Sequence, residues 1–278
     1  MSTVCSFLGR SPALTHRAAR LLAATLWLSA FLRADGQIAV IGNSVDEHTV
    51  APGDRYDGMI VVRNLTDRPQ PVLVYQTDYS FFANGTSRFD SAGSTPRSNA
   101  RWITPSASSL TIPAMSDVTL SYAVNVPSSD TLRGSYWSAI MVEGAPTAPP
   151  AAGARQVGIG AVVRYAVQVA THLPTPGSRR VRLTKEAFAP DTAGTHSLDI
   201  VIVHTGERAY RPLLWAELYD ATGVLRARLE QQRGLLYPGT SIRQRFTFGV
   251  LPHGSYKAVV FADTGDDTVS AAQYALTF

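Results

Sequence analysis

Apolar residues recur at every second position through almost the whole of this chain, a spacing that suits half-buried β-strands and no other regular element. Val118, Leu120, Tyr122, Val124 and Val126 alternate with Thr119, Ser121, Ala123 and Asn125. A second run, Val157, Ile159, Ala161, Val163, Tyr165, Val167 and Val169, alternates with Gly158, Gly160, Arg164 and Gln168 and predicts one long strand. Further strands are expected over 58–64, 71–78, 136–143, 198–203, 213–219, 242–248, 256–263 and 274–278. Turn signals stand between them: Ala-Pro-Gly-Asp at 51–54, Ala-Asn-Gly-Thr at 83–86, Asp-Ala-Thr-Gly at 220–223 and Tyr-Pro-Gly-Thr at 237–240. Many short strands punctuated by Pro and Gly, with no helical stripe, predict an all-β sandwich protein.

The exception is the amino terminus. Residues 1–34 carry Arg10, Arg17, Arg20 and Arg33, no acid, and the apolar run Leu21–Leu32 ending near Ala34. A basic start, a short apolar core and a small residue at its end describe a secretory signal peptide, too short to span a bilayer comfortably. The chain's formal charge of +4 comes from this segment, since the other 21 basic residues balance 21 acidic ones. The remainder has no global positive field for nucleic acid. The only cysteine, Cys5, falls in the leader, so the chain beyond the leader has no disulfide and no thiolate metal site. No later apolar run approaches the ~20 residues of a membrane helix, and the expected product is exported to the periplasm or cell surface with no transmembrane anchor.

The two halves resemble each other. Val62-Arg-Asn-Leu-Thr-Asp-Arg68, Ile112-Pro-Ala-Met-Ser116 and Gly134-Ser-Tyr-Trp-Ser-Ala139 are answered in order by Val203-His-Thr-Gly-Glu-Arg208, Tyr237-Pro-Gly-Thr-Ser241 and Gly254-Ser-Tyr-Lys-Ala258. Two tandem immunoglobulin-like β-sandwiches explain the order, with domain 1 at 37–172, domain 2 at 179–278 and a boundary at His172–Ser178. The stretch 145–156, rich in Ala and Pro, reads as a long loop of domain 1, because the strand after it is needed to complete that sandwich.

A search for chemistry returns no catalytic set. There is no serine in a strand–turn–helix Gly-x-Ser-x-Gly context and no helix to carry an anion-binding glycine loop. His48, His172, His196, His204 and His253 are scattered, and although His196 and His204 share a strand parity, no third ligand accompanies them. Neither an enzyme, a metal nor a cofactor is expected. Tyr75, Tyr79, Phe81 and Phe82 are close in sequence; exposed in a row they would make a glycan-stacking platform, and buried they would be core.

Domain 1 resembles the immunoglobulin-like first domain of periplasmic pilus chaperones, through Pro52-Gly53, the strand ending Asn64-Leu-Thr-Asp-Arg68, Trp102-Ile-Thr-Pro-Ser106, Leu110-Thr-Ile-Pro113 and the 118–127 strand. It is also similar to exported WxL-interacting proteins, through 77–85 and 132–141. The chaperone resemblance implies a strand, here Val157, Ile159, Ala161, Val163, Arg164, Tyr165 and Val167, lent to an incomplete pilus-subunit-like partner by β-augmentation. It also implies a basic residue on the last strand that grips the partner's terminal carboxylate, a place Arg164 matches, whereas 37–43 lacks the corresponding arginine of the first strand. The WxL resemblance implies binding to a cell-wall polymer such as peptidoglycan. The expected function is thus non-catalytic binding of an envelope or surface protein through the 157–169 strand, with glycan binding through Tyr75, Tyr79, Phe81 and Phe82 as the alternative.

Overall fold

The alternating segments become strands close to where their periodicity places them. The computed structural model describes residues 37–144, 162–266 and 269–277. The leader, the 145–156 loop and the expected strand residues Val157, Ile159 and Ala161 lie outside those residues. The first ten strands are β1 (Ile38–Ile41), β2 (Val45–Thr49), β3 (Arg55–Asn64), β4 (Gln70–Phe81), β5 (Ser87–Ser91), β6 (Ile103–Pro105), β7 (Ser109–Ile112), β8 (Asp117–Asn125), β9 (Ser135–Gly144) and β10 (Arg164–His172). They form one sheet in the order β1-β3-β8-β6 and a second in the order β2-β10-β9-β4-β5, with β7 also on β4. In β8 the predicted alternation holds: Leu120, Tyr122 and Val124 are buried while Thr119 and Ser121 face water. They meet Ile60, Val62, Ile140 and Val169 in one apolar core, and with no disulfide each such aliphatic side chain contributes about 1.5–3 kcal/mol through burial.

Seven strands follow: β11 (Val181–Pro190), β12 (Thr195–His204), β13 (Leu213–Asp220), β14 (Leu225–Gln232), β15 (Ser241–Val250), β16 (Ser255–Asp263) and β17 (Val269–Thr277). Their sheets run β11-β12-β15 and β14-β13-β16-β17, closing on a separate core around Leu198, Ile200, Leu214, Leu218 and Val260. The protein is therefore an all-β pair of immunoglobulin-like sandwiches. The order β3-β8 with β4-β9-β10 in the first is repeated by β12-β15 with β13-β16-β17 in the second.

Of the expected 157–169 strand, the described part is paired with β9 from Arg164 onward, and the Gly144 amide donates to the Val163 carbonyl (3.1 Å). Strands β2, β11 and β14 carry no clean alternation, since charged residues such as Glu47, Lys185 and Arg228 stand at sheet edges where one flank meets solvent.

The two sandwiches are joined by a third cluster. Trp137 stacks on Tyr237 with centroids 4.7 Å apart and planes at 9°, and Ala170 and Ala209 complete the contact. Polar bonds surround it: the Tyr237 hydroxyl donates to Gln168 Oε1 (2.8 Å), the Ala209 amide to Ser135 Oγ (2.8 Å), and Glu47 pairs with the Arg211 guanidinium. Burial alone would raise the Glu47 pKa, but the hydrogen bond and charge of Arg211, helped by His172, leave it below the ordinary carboxylate value.

Candidate functional site

Among the described residues, the first sandwich has an uncovered stretch of edge where its first strand changes sheets. β1 pairs with β3 in one sheet; after a short crossing, β2 joins the other sheet parallel to β10, covering Gln168–His172 only. Upstream of Gln168 the outer edge of β10 has no strand beside it among the described residues.

The direction of the backbone groups follows from the register. Because Val163 bonds to Gly144 and the antiparallel pairing continues Arg164↔Glu143, the N–H and C=O of Val163, Tyr165 and Val167 point at β9. Those of Arg164, Ala166 and Gln168 point the other way, and the Gln168 amide accordingly donates to the Ser44 carbonyl of the crossing (2.8 Å). Arg164 and Ala166 therefore hold their backbone groups toward the uncovered side. β3 has a similar gap, since β1 covers only Val61–Asn64 and the outward groups of Asp57 and Met59 have no strand partner among the described residues.

Between these edges lies a cleft of about 430 Å³ walled by Val40, Ile41, Met59, Val61 and Val167, with Asp46 and Asp57 among its lining. Met59 is 72% exposed and Ile41 41%, unusual values for large apolar side chains in strands. The cleft floor is fixed by β2. Asp46 accepts from the Tyr122 hydroxyl and bonds His48 Nε2 (2.9 Å), His48 stacks on Tyr56 at 4.2 Å, and Tyr56 is hydrogen-bonded to Thr171 Oγ1 (2.7 Å). Burial pushes the Tyr56 pKa up to about 12, so it stays a neutral hydroxyl at any physiological pH. A Cβ at Gly58 would overlap the Tyr122 ring and the Asp46 carboxylate, which accounts for a glycine inside β3.

The predicted partner-binding residues are distributed unevenly. Val163 and Tyr165 lie at the open end of the sandwich, half-buried, with the Tyr165 hydroxyl donating to the Ile38 carbonyl (2.9 Å). Val167 is 4% exposed, its side chain packed in the core although it borders the cleft. Arg164 is engaged: its guanidinium bonds Glu143 (2.8 Å), which also accepts from the Tyr75 hydroxyl (2.5 Å). These two bonds hold the Glu143 pKa below the ordinary range.

The four aromatics do not make one open row. Tyr75 is tied to Glu143; Tyr79 stacks on Phe89 (5.2 Å) and, with Phe81, packs against the Trp137–Tyr237 cluster; Phe82 sits past the strand end in the turn closed by Thr86. A cleft of about 280 Å³ beside Tyr79 and Phe81 is bounded by Arg233, Leu235 and Ile242 of the second sandwich. His196 and His204 do not converge on a ligand, and among the described residues no group of three or more His, Cys, Asp or Glu is placed to hold a metal ion. Sequence reasoning passed over Ile41, Asp57 and Met59; the one signal for them was an apolar Met59 at the outward parity of a strand whose even positions face the core.

What the site offers is main-chain donors and acceptors along a strand edge beside an apolar cavity, a combination suited to an extended peptide. Among the described residues no helix is long and apolar enough to cross a membrane. No family model and no curated protein matches the chain. Solved structures do. The class 5 fimbriae chaperone CfaA is 10% identical over 85% of this chain and 98% of its own, with a TM-score of 0.45. The E. coli chaperone DraB is 14% identical over 87% of this chain and 98% of its own, with a TM-score of 0.38. A chaperone–tip adhesion subunit pre-assembly complex, CsuC–CsuE of Acinetobacter baumannii, matches at 10% identity over 85% of this chain and 97% of that chain, with a TM-score of 0.41. Fimbrial chaperones are thus among the solved structures to which this chain is similar over most of its length.

Proposed function

We propose that this protein is an exported, non-catalytic binding protein that takes an extended segment of an envelope or surface protein, of the pilus-subunit kind, onto the open edge of β10. One observation supports the reading: β2 covers β10 only from Gln168 onward, so among the described residues the outward backbone groups of Arg164 and Ala166 have no strand beside them, next to a cleft that Val167 of the same strand borders. An added strand would bond to those groups and place alternate side chains against Val40, Ile41 and Met59, gaining affinity from the main chain and selectivity from the cleft. Arg164 then serves the site by staying with Glu143 and keeping β9 and β10 in register, in place of gripping a terminal carboxylate.

The test is capture from an extract of the native envelope by the exported protein and by its Val163→Asp variant. The reading predicts one abundant protein retained by the parent and lost by the variant, since a charge at the open end of the sandwich opposes apolar docking. Retention of cell-wall polymer alone, equally by both proteins, contradicts it.

A further inference from the structure

The second sandwich has its own uncovered edge, and it differs from every other edge among the described residues. β17 pairs with β16 through all nine residues, Val269–Thr277, and among the described residues no strand lies on its other side. Its counterpart in the first sandwich is β10, whose outer edge is partly covered by β2. No described strand plays that part in the second sandwich: β11 is paired with β12 from Val181 to Pro190 and, although it passes near β17, forms no ladder with it.

Exposed edges usually carry charges, prolines or bulges that discourage pairing with another chain. The other edges here do so or are very short: β11 has Lys185, Glu186 and a bulge, β14 has Arg226 and Arg228, β15 has Arg243 and Arg245, β2 has Asp46 and Glu47, β5 has Arg88 and Asp90, and β1, β6 and β7 span three or four residues. β17, Val-Ser-Ala-Ala-Gln-Tyr-Ala-Leu-Thr, has no charge, no proline and no register shift. Its outward side chains, among them Ala271, Gln273 and Ala275, are small or neutral, while Tyr274 and Leu276 turn into the core.

We propose that β17 is a self-association edge, whose occupant is β17 of a second copy of this chain, run antiparallel about a two-fold axis. A two-fold antiparallel pairing runs an edge against a reversed copy of itself, so the fit depends on that edge alone; among the described long edges only β17 carries no charge, proline or register shift to oppose its copy. The result is a continuous eight-stranded sheet from two copies of β14-β13-β16-β17. Since an edge pairing covers much less surface than a standard interface, the dimer is weak and grows with concentration.

Sedimentation equilibrium of the exported protein, without residues 1–34, from dilute solution up to its solubility limit, tests this. A monomer–dimer equilibrium is expected, abolished in Ala271→Lys/Gln273→Lys and unchanged in Val163→Asp, which separates it from the function proposed for β10. In the same protein, which without residues 1–34 has no cysteine of its own, single cysteines replacing Ala271, Gln273 or Ala275 are expected to give a disulfide-linked dimer for at least one position near the axis. A protein that stays monomeric throughout, or one whose association survives both lysines and yields no cross-link, overturns the proposal.

Discussion

Asn64 and His204 do the same work at the ends of equivalent strands. Asn64 Oδ1 accepts the amide of Thr66 (2.8 Å) and its Nδ2 donates to the Arg68 carbonyl (2.7 Å); His204 Nδ1 accepts the amide of Gly206 (2.9 Å) and its Nε2 donates to the Arg208 carbonyl (2.7 Å). Each buried side chain closes the turn that follows β3 or β12 by satisfying groups two and four residues on. The match between the segments ending at Arg68 and Arg208 is therefore a repeated turn, and the sandwiches are repeats down to hydrogen bonds.

This arrangement requires a neutral His204. Burial drives its pKa down to about 4, against the partial offset of the Arg208 carbonyl. The folded pKa lies below the unfolded value, so the unfolded chain binds the extra proton between them, and stability is full above about pH 6.5 and falls as pH drops toward 4. His172, depressed chiefly by burial although Glu47 opposes it, acts in the same sense. In His204→Asn the Asn64 geometry replaces the imidazole, so the melting temperature is expected to decline less between pH 6.5 and 4.5, with the difference at neutral pH within about 1 kcal/mol. His204→Leu, which leaves the Gly206 amide and Arg208 carbonyl unpaired, is expected to cost about 2–3 kcal/mol by urea denaturation. Equal pH slopes in parent and His204→Asn would count against the assignment.

The repeat also exposes a strained position. The Asn64 amide bonds to Ser116 as the His204 amide bonds to Thr240, which aligns Met115 with Gly239. Gly239 has φ +78°, while Met115, with φ +53°, is the one non-glycine residue in the left-handed region among the described residues. Met115 is 72% exposed, so its side chain contributes little packing. Met115→Gly is expected to stabilise the protein by about 0.5–1 kcal/mol despite the added freedom of the unfolded chain, raising the urea midpoint. A lower midpoint would show that the loop does not carry that strain.

Trp137 and Tyr237 hold the sandwiches together. Trp137 also donates its indole N–H to the Tyr79 carbonyl (2.6 Å), and both rings are almost wholly buried. Alanine at either position is expected to cost about 3 kcal/mol or more, with a coupling of about 0.5–1.5 kcal/mol in the double-mutant cycle. Strict additivity would mean that the two rings do not act as a pair.

Much of this fold was legible in the sequence because half-buried strands impose their period on composition: β8 and β16 read cleanly from Val118–Val126 and Tyr256–Asp263. β2 did not, since Asp46, Glu47 and His48 serve the Tyr122 contact, the Arg211 pair and the Tyr56 stack, none of which has a local signature. The run around Val163 was visible as a candidate edge, but how far it is covered is set by another strand, β2, which pairs with β10 only from Gln168 onward. Tyr79 and Phe81 looked available because their neighbours, Trp137 and Tyr237, lie far away along the chain. A site made where one strand stops covering another is written in pairing, and pairing is not local.

Ala166 keeps its backbone N–H out of the β9 ladder and turns it to the side of β10 that no described strand covers. Proline is tolerated on an edge strand where its missing N–H would have faced solvent. The most direct measurement is the affinity of the captured partner for Ala166→Pro beside the parent, with the melting temperature of each. The account predicts a loss of at least about tenfold in affinity, the cost of one intermolecular hydrogen bond plus the steric block of the ring, with melting almost unchanged. Parent-like affinity in a folded Ala166→Pro would contradict strand addition at this edge.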